Sequence, residues 1–81
     1  MNMEIARLRG IIAESEKQEK LLDAKCKGAI FLIRNILNPY EDDMTLIDTE
    51  QALEAAKALD MDQKELKTVR EKIRRMKADL Q

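Results

Sequence analysis

The sequence has few of the residues on which sheets and disulfides depend. Its 81 residues include no histidine, one cysteine, one proline, two glycines, one tyrosine and one phenylalanine. Strands favour aromatic and β-branched side chains, so the scarcity of aromatics disfavours a sheet. The single cysteine, Cys26, cannot form a disulfide within the chain. Its neighbours place it on an apolar helix face, where a thiol acts as a small hydrophobic side chain.

Catalysis has little support in the sequence. Histidine is the commonest general acid and base, and it is absent. The carboxylates are scattered over the expected helix surfaces, and a small helical protein rarely forms the desolvated pocket that carboxylate catalysis requires. The acidic triplet Glu41, Asp42 and Asp43 lacks the spaced oxygen ligands and the turn glycine of a calcium loop. We therefore expect no enzymatic activity, no cofactor and no metal site.

Long apolar runs are also absent. The longest strongly apolar run, AIFLI at 29–33, is far shorter than the roughly 20 residues that span a bilayer. The first ten residues, MNMEIARLRG, lack the apolar segment of a signal peptide. The sequence therefore predicts a cytoplasmic protein with no membrane partner.

Charged and apolar residues make up most of what is present. They account for 38% and 44% of the chain, a mixture typical of long exposed helices, so the predicted fold class is all-α. A chain of this length forms a single domain, 1–81, with a thin core. Self-association would add to the apolar area that such a chain buries.

A heptad pattern predicts the first helix over about 3–37. Apolar residues recur at the a and d positions of this heptad, which predicts a coiled-coil-like seam. Ser15 at d and Glu19 at a are the two exceptions. The a positions otherwise hold Ile5, Ile12, Cys26 and Ile33, and the d positions hold Leu8, Leu22, Ala29 and Ile36. Residues 29–37 leave almost no polar face, which predicts burial on several sides.

Two further helices are predicted after a loop. Pro39 ends the first helix and opens a loop over 38–47. A short middle helix follows at about 48–59, with Asp48 as its N-cap. A break at LDMD, 59–62, then precedes a third helix at about 62–80. The predicted architecture is a long N-terminal helix packed antiparallel against the C-terminal helix, with the short middle helix completing a three-helix unit.

The seam of the third helix predicts a register between the two long helices. Matching the seams places Ile33 beside Leu66, and the third helix then ends opposite Glu19. Every apolar residue before that point lacks a partner within the chain, and an exposed apolar stripe usually marks an interface. We therefore predict that the chain forms a dimer or tetramer through Ile5, Leu8, Ile11 and Ile12. On this hypothesis Ser15 and Glu19 separate a seam for folding from a seam for association.

One segment resembles a known DNA-binding motif. Residues 53–73, LEAAKALDMDQKELKTVREKI, carry apolar residues at the spacings of the helix-turn-helix family, with Asp60 at the turn position that is normally glycine. The resemblance implies a dimeric regulator that binds DNA through residues 49–73. It implies that Gln63, Lys64, Lys67 and Thr68 face the major groove, and that Arg70, Arg74, Arg75 and Lys77 contact phosphates.

The charge distribution favours a different function. Residues 1–37 hold seven basic and five acidic residues, residues 38–60 hold one and seven, and residues 61–81 hold seven and four. A chain that is acidic overall is a poor non-specific ligand for DNA. The favoured interpretation is therefore a non-enzymatic protein–protein interaction module that self-associates through its first helix and binds a macromolecular partner. A phage- or plasmid-type inhibitor of a host nucleic-acid enzyme is a further alternative.

Overall fold

The chain folds as a hairpin of two long helices. The computed structural model describes residues 3–80. Helix α1 spans Met3–Ile36, a 3₁₀ turn spans Met44–Leu46, and helix α2 spans Thr49–Asp79. The two helices pack side by side and antiparallel, and the molecule measures 67 × 15 × 14 Å. The predicted all-α class and the antiparallel pairing of the N- and C-terminal helices are confirmed.

The loop begins where a proline prevents α1 from continuing. The last helical residue is Ile36, and the proline at position 39 has no backbone N–H to donate to a helix. The side-chain oxygen of Asn38 instead accepts a hydrogen bond from the backbone N–H of Tyr40 at 3.0 Å. This local turn starts the reversal of the chain.

Two aspartates form the rest of the connection. Asp43 precedes the 3₁₀ turn and accepts hydrogen bonds from the backbone N–H and the hydroxyl of Thr45, at 3.0 and 2.6 Å. Asp48 accepts a hydrogen bond from the backbone N–H of Gln51 at 3.0 Å and so caps the first turn of α2. The predicted N-cap is therefore confirmed.

The predicted break between a middle helix and a third helix is wrong. Helix α2 is continuous through 59–62, and the only short helical element of the described loop is the 3₁₀ turn. An ion pair of 2.9 Å joins Asp60 to Lys64, one helical turn further on. The LDMD segment contains no glycine or proline, so no residue in it forces the helix to end.

Helix α2 is continuous because its buried positions keep one helical spacing along its whole length. Along α2 the buried and half-buried seam residues recur at alternating spacings of three and four, and the spacing does not change at the supposed break. Asp62 occupies one of these positions and is half-buried, so it is a polar member of the seam rather than the start of a new helix. The full seam consists of Ala52, Ala55, Leu59, Asp62, Leu66, Val69, Ile73, Met76 and Leu80.

The predicted heptad of α1 is confirmed from its second seam position onward. The a and d residues are buried or half-buried, including the polar exceptions Ser15 and Glu19. Ile5, the first a residue, is 40% exposed. The seam of α1 consists of Leu8, Ile12, Ser15, Glu19, Leu22, Cys26, Ala29, Ile33 and Ile36.

The predicted register of the two helices is also wrong. The core cluster contains Leu22, Leu66, Val69 and Ile73, so Leu66 lies at the level of Leu22 and not of Ile33. At 1.5 Å per residue, this displaces α2 by about 16 Å along α1. The cause is the continuity of α2. Without a turn at 59–62, the residues after position 62 lie further along the hairpin, toward the N-terminal end of α1.

The structure also bears on membrane insertion. Within residues 3–80, neither helix contains an apolar stretch long enough to cross a bilayer.

Candidate interaction surfaces

The four residues of the predicted oligomer interface differ in their exposure. Ile12 is only 6% exposed and Leu8 is half-buried, because α2 extends past Glu19 and covers this part of α1. Ile5 and Ile11 remain exposed. The expectation that all four side chains lack a partner within the chain is therefore wrong, and the reason is the displaced register.

Ser15 and Glu19 do not mark a boundary between folding and association. Ser15 is buried, and Glu19 accepts a hydrogen bond from Arg70 of α2 at 3.1 Å. The same guanidinium lies 3.7 Å from Asp23, and Lys77 lies 3.6 Å from Glu16. Both polar positions therefore belong to the seam within one chain.

The residues predicted to contact a partner or a nucleic acid lie on the exposed surface of α2. All eight are exposed, and most make contacts with neighbouring residues of the same chain. Lys64 pairs with Asp60, and the hydroxyl of Thr68 donates to the carbonyl of Lys64 at 3.1 Å. The eight residues are Gln63, Lys64, Lys67, Thr68, Arg70, Arg74, Arg75 and Lys77.

The Glu71 carboxylate is hydrogen-bonded to two of these arginines. Glu71 accepts hydrogen bonds from the Nε atoms of Arg74 and Arg75, at 3.0 and 3.1 Å. These bonds, with that to Arg74 the larger contribution, lower the pKa of Glu71 from 4.5 to about 2. The two guanidinium groups are thus partly neutralised, which reduces the positive charge that they offer to a phosphate.

The helix-turn-helix resemblance fails on geometry. That motif needs two helices joined by a turn, but residues 49–73 lie within one uninterrupted helix. The residue at the expected turn position, Asp60, is in the helix interior. Within residues 3–80 there is therefore no reading helix set at an angle to a supporting helix.

The strongest surface feature lies at the loop end of the hairpin. Residues 29–37 were predicted to be buried on several sides, but Phe31 is 69% exposed and Leu37 is also exposed. On the adjacent first turns of α2, Leu53 is 61% exposed. Most of the exposed large apolar residues of the described chain lie in this half, namely Ile30, Phe31, Leu32, Leu37, Tyr40, Met44, Leu46, Leu53 and Met61.

Part of this apolar surface forms two neighbouring depressions, one of which is a groove between the helices. Small side chains at Ala52 and Ala56 of α2 leave a shallow space of about 280 Å³ beside Ile33 and Leu37 of α1. A neighbouring depression shares those two α1 residues and extends to Phe31 and Tyr40. We call the combined surface the loop-end face. Its apolar members are Phe31, Ile33, Leu37, Tyr40, Ala52, Leu53 and Ala56, and Arg34, Asn35, Asn38, Pro39 and Thr49 also line it.

Acidic residues are frequent in the chain segment that contains the loop and the first turns of α2. Segment 38–60 carries seven acidic residues and one lysine. Glu41 accepts a hydrogen bond from the backbone N–H of Asp43 at 3.2 Å. The hydrogen bonds that Thr45 donates lower the pKa of Asp43, the hydroxyl making the larger contribution. These carboxylates thus stabilise the loop. Within residues 3–80, no three acidic or cysteine side chains lie close enough together to hold a metal ion.

The sequence shows that the end of α1 is apolar, but it does not show that these side chains are exposed. Leu37 flanks the seam, so its exposure depends on which residues of α2 lie next to it, and that depends on the register. Phe31 lies two residues from the seam residue Ile33, on the side of α1 that faces away from α2 in any register. The alanines at 52, 55 and 56 were the available signal, because short side chains cannot cover a helix that is apolar on all sides.

No protein-family model matches the chain, and neither a curated protein nor a solved structure shows significant similarity to it.

Proposed function

We propose that the hairpin is a non-enzymatic protein–protein interaction module whose loop-end face binds an apolar helix of a partner protein. The observation that carries the proposal is the exposure of Leu37 and Leu53 beside an alanine-lined groove, with Phe31 exposed on the adjoining surface of α1. Contiguous apolar surface on a small protein is costly to leave in water and usually marks a binding site. A groove between two helices suits an amphipathic helix, whose apolar side chains enter it at helical spacing.

The acidic surroundings define the partner's charge. Segment 38–60, which carries the loop and the first turns of α2, holds seven acidic residues against one lysine, while Arg34 is the one charged residue that lines the two depressions. The net charge at this end of the hairpin is therefore acidic and favours a basic ligand over an acidic one. We therefore propose that the partner helix is apolar on one side and carries lysine or arginine on its flanks. The apolar groove would provide most of the affinity, and the charges would select the partner and speed association.

Titration of the full chain with synthetic helices tests this proposal. The ligand is an amphipathic peptide of leucine and lysine, and its matched control has glutamate in place of lysine. Binding is followed through backbone amide shifts by NMR. We expect the lysine peptide to bind more tightly, to perturb residues 31–56 most, and to lose affinity as salt is added.

Two matched substitutions locate the binding site. Leu53 and Leu21 are similarly exposed, at 61% and 58%, but only Leu53 belongs to the loop-end face. Because a buried leucine contributes on the order of 2 kcal/mol, Leu53→Asn is expected to weaken peptide binding about tenfold or more. Leu21→Asn is expected to leave it unchanged. Shifts centred away from residues 31–56, or equal effects of the two substitutions, would overturn the proposal, and equal binding of both peptides would overturn its charge component.

A further inference from the structure

A second exposed surface lies along one edge of the hairpin, away from the loop-end face. Ile11, Gln18, Lys25 and Leu32 are seven residues apart and therefore lie in line on α1. Gln18 donates a hydrogen bond to Glu65 at 3.2 Å, which shows that this line follows the edge where α1 and α2 meet. We call this surface the lateral face, and it consists of Ile11, Glu14, Gln18, Leu21, Lys25, Gly28 and Leu32 on α1, with Met61, Glu65 and Lys72 on α2.

The apolar residues of the lateral face have a symmetrical arrangement. Ile11, Leu21 and Leu32 are all exposed, and Leu21 lies almost midway between the other two. If a second copy of α1 packs antiparallel across a two-fold axis at Leu21, the two Leu21 side chains meet. Each Ile11 then meets Leu32 of the second copy. All three exposed side chains are covered by this one operation.

Charged residues on the same face agree with this operation. The antiparallel arrangement brings Glu14 within about one helical turn of Lys25 of the second copy, so opposite charges approach each other. On α2, Met61 lies opposite Lys72 of the second copy, whose methylene chain can cover it. The face that one copy presents is therefore complementary to the same face of another.

Packing within the hairpin does not explain one glycine of the lateral face. Gly28 lies in the interior of α1, where glycine costs about 1 kcal/mol relative to alanine. A Cβ atom at this position would meet nothing within 4 Å, so packing inside the hairpin does not require its absence. The glycine therefore leaves room for a close approach by a second helix at the lateral face.

The charge distribution of the whole hairpin selects the antiparallel orientation. The loop half, residues 23–65, holds five basic and ten acidic residues, whereas the remaining residues of the open half hold ten basic and six acidic ones. A parallel dimer would bring like-charged halves together. An antiparallel dimer brings the acidic half of each copy against the basic half of the other.

We propose that the chain forms an antiparallel homodimer through the lateral face, giving a four-helix bundle in which every neighbouring pair of helices is antiparallel. This arrangement has the packing of ordinary four-helix bundles. It leaves the loop-end face of each copy open, at opposite ends of the bundle. Self-association and partner binding therefore use separate surfaces, and either can fail without the other.

Sedimentation of the full chain over a range of concentrations tests the dimer. A 9.4 kDa chain is expected to sediment with twice its mass, and added salt is expected to weaken the association. Leu21→Glu places two carboxylates together at the two-fold axis, so its dimer dissociation constant is expected to rise at least about tenfold. Ala24→Glu makes the same change in charge on an exposed position outside the lateral face and is expected to leave the dimer intact. Circular dichroism confirms that both variants remain helical.

Disulfide trapping tests the orientation. Ile11→Cys and Leu32→Cys chains, each with Cys26→Ala, are mixed and oxidised gently. An antiparallel dimer yields mainly the mixed disulfide between the two kinds of chain, whereas a parallel dimer yields Ile11→Cys chains joined to each other. A monomeric wild type or a dimer that tolerates Leu21→Glu would overturn the proposal. So would a predominance of disulfides between two chains that carry the same substitution.

Discussion

At the scale of single residues, Glu19 shows how a polar side chain can belong to a seam. It occupies an a position and is half-buried, while its carboxylate reaches Arg70 at 3.1 Å. Its aliphatic part can therefore line the interface while its charged end lies at the edge, where water and the arginine solvate it. Polar seam residues lower stability but favour one register over others. Glu19 has this role here, because displacing α2 would separate it from Arg70.

Glu71 provides a prediction about pH. Its carboxylate is stabilised in the folded chain by Arg74 and Arg75, which lower its pKa to about 2. A carboxyl whose pKa is lowered on folding contributes stability above its unfolded pKa, and that contribution is lost as the pH falls toward the folded value. NMR titration of the side-chain carboxyl is expected to give a midpoint near 2.

A substitution distinguishes this effect from general acid unfolding. Glu71→Gln is expected to lower the unfolding temperature at pH 7, where the wild-type carboxylate is ionised in both states. The difference between the two proteins is expected to shrink as the pH falls from about 4.5 toward 2. A midpoint close to 4.5, or a temperature difference independent of pH, would show that the two arginines do not hold the carboxylate.

At the scale of elements, the continuity of α2 leads to a prediction at the former turn position. Asp60→Ala and Asp60→Gly both remove the ion pair with Lys64, so their difference isolates the backbone. In a helix interior the glycine variant is expected to be less stable than the alanine variant by about 1 kcal/mol. In a turn of left-handed conformation the order would be reversed.

Urea unfolding at a fixed protein concentration measures this difference. The same pair of substitutions at Asp42, which lies in the loop outside any helix, is the control and is expected to give a smaller difference. An Asp60→Gly variant as stable as Asp60→Ala would contradict the continuous helix.

The two helices differ in how far the sequence determines them. The spacing of Leu8, Ile12, Leu22 and their successors predicts the α1 seam correctly, because apolar periodicity depends on local geometry alone. The α2 prediction is wrong because Asp62 and Glu65 have the spacing of a capping box. Such a pair caps a helix only when the residues before it are not helical. The seam spacing of α2 continues unbroken through the residues before Asp62, so they are helical.

The candidate partner site was less predictable than the helices. The sequence shows that α1 ends with apolar residues on all sides, but it does not show whether α2 covers Leu37. Coverage depends on the size of the opposing side chains and on register, both of which are tertiary properties. A displacement of about 16 Å moves the candidate interface from the N-terminal stripe to the loop end. It also places Ile12 in the core.

At the scale of the whole molecule, the hairpin separates charge and apolar surface along its length. The loop half is acidic and holds most of the exposed apolar side chains, while the open half is basic. Both features depend on the register, since sliding α2 by about 16 Å toward the loop would place its basic residues beside the apolar residues 29–33 of α1. The register is therefore the structural property on which both proposed interactions rest.

Cross-linking within one chain tests that register directly. Gln18 and Glu65 are joined by a hydrogen bond of 3.2 Å, so Gln18→Cys with Glu65→Cys, in a Cys26→Ala chain, is expected to react with a short thiol cross-linker. Asn35→Cys with Glu65→Cys is the control, because it approximates the pair that lies together when Leu66 is beside Ile33. In the observed register those two positions are about 18 Å apart along the helix axis, beyond the reach of a short reagent. Mass spectrometry of the product with the mass of one chain distinguishes this link from a link between copies. Efficient cross-linking of the control pair, with none between positions 18 and 65, would show that α2 lies about three helical turns from its observed place. The loop-end face would then be covered by side chains larger than alanine.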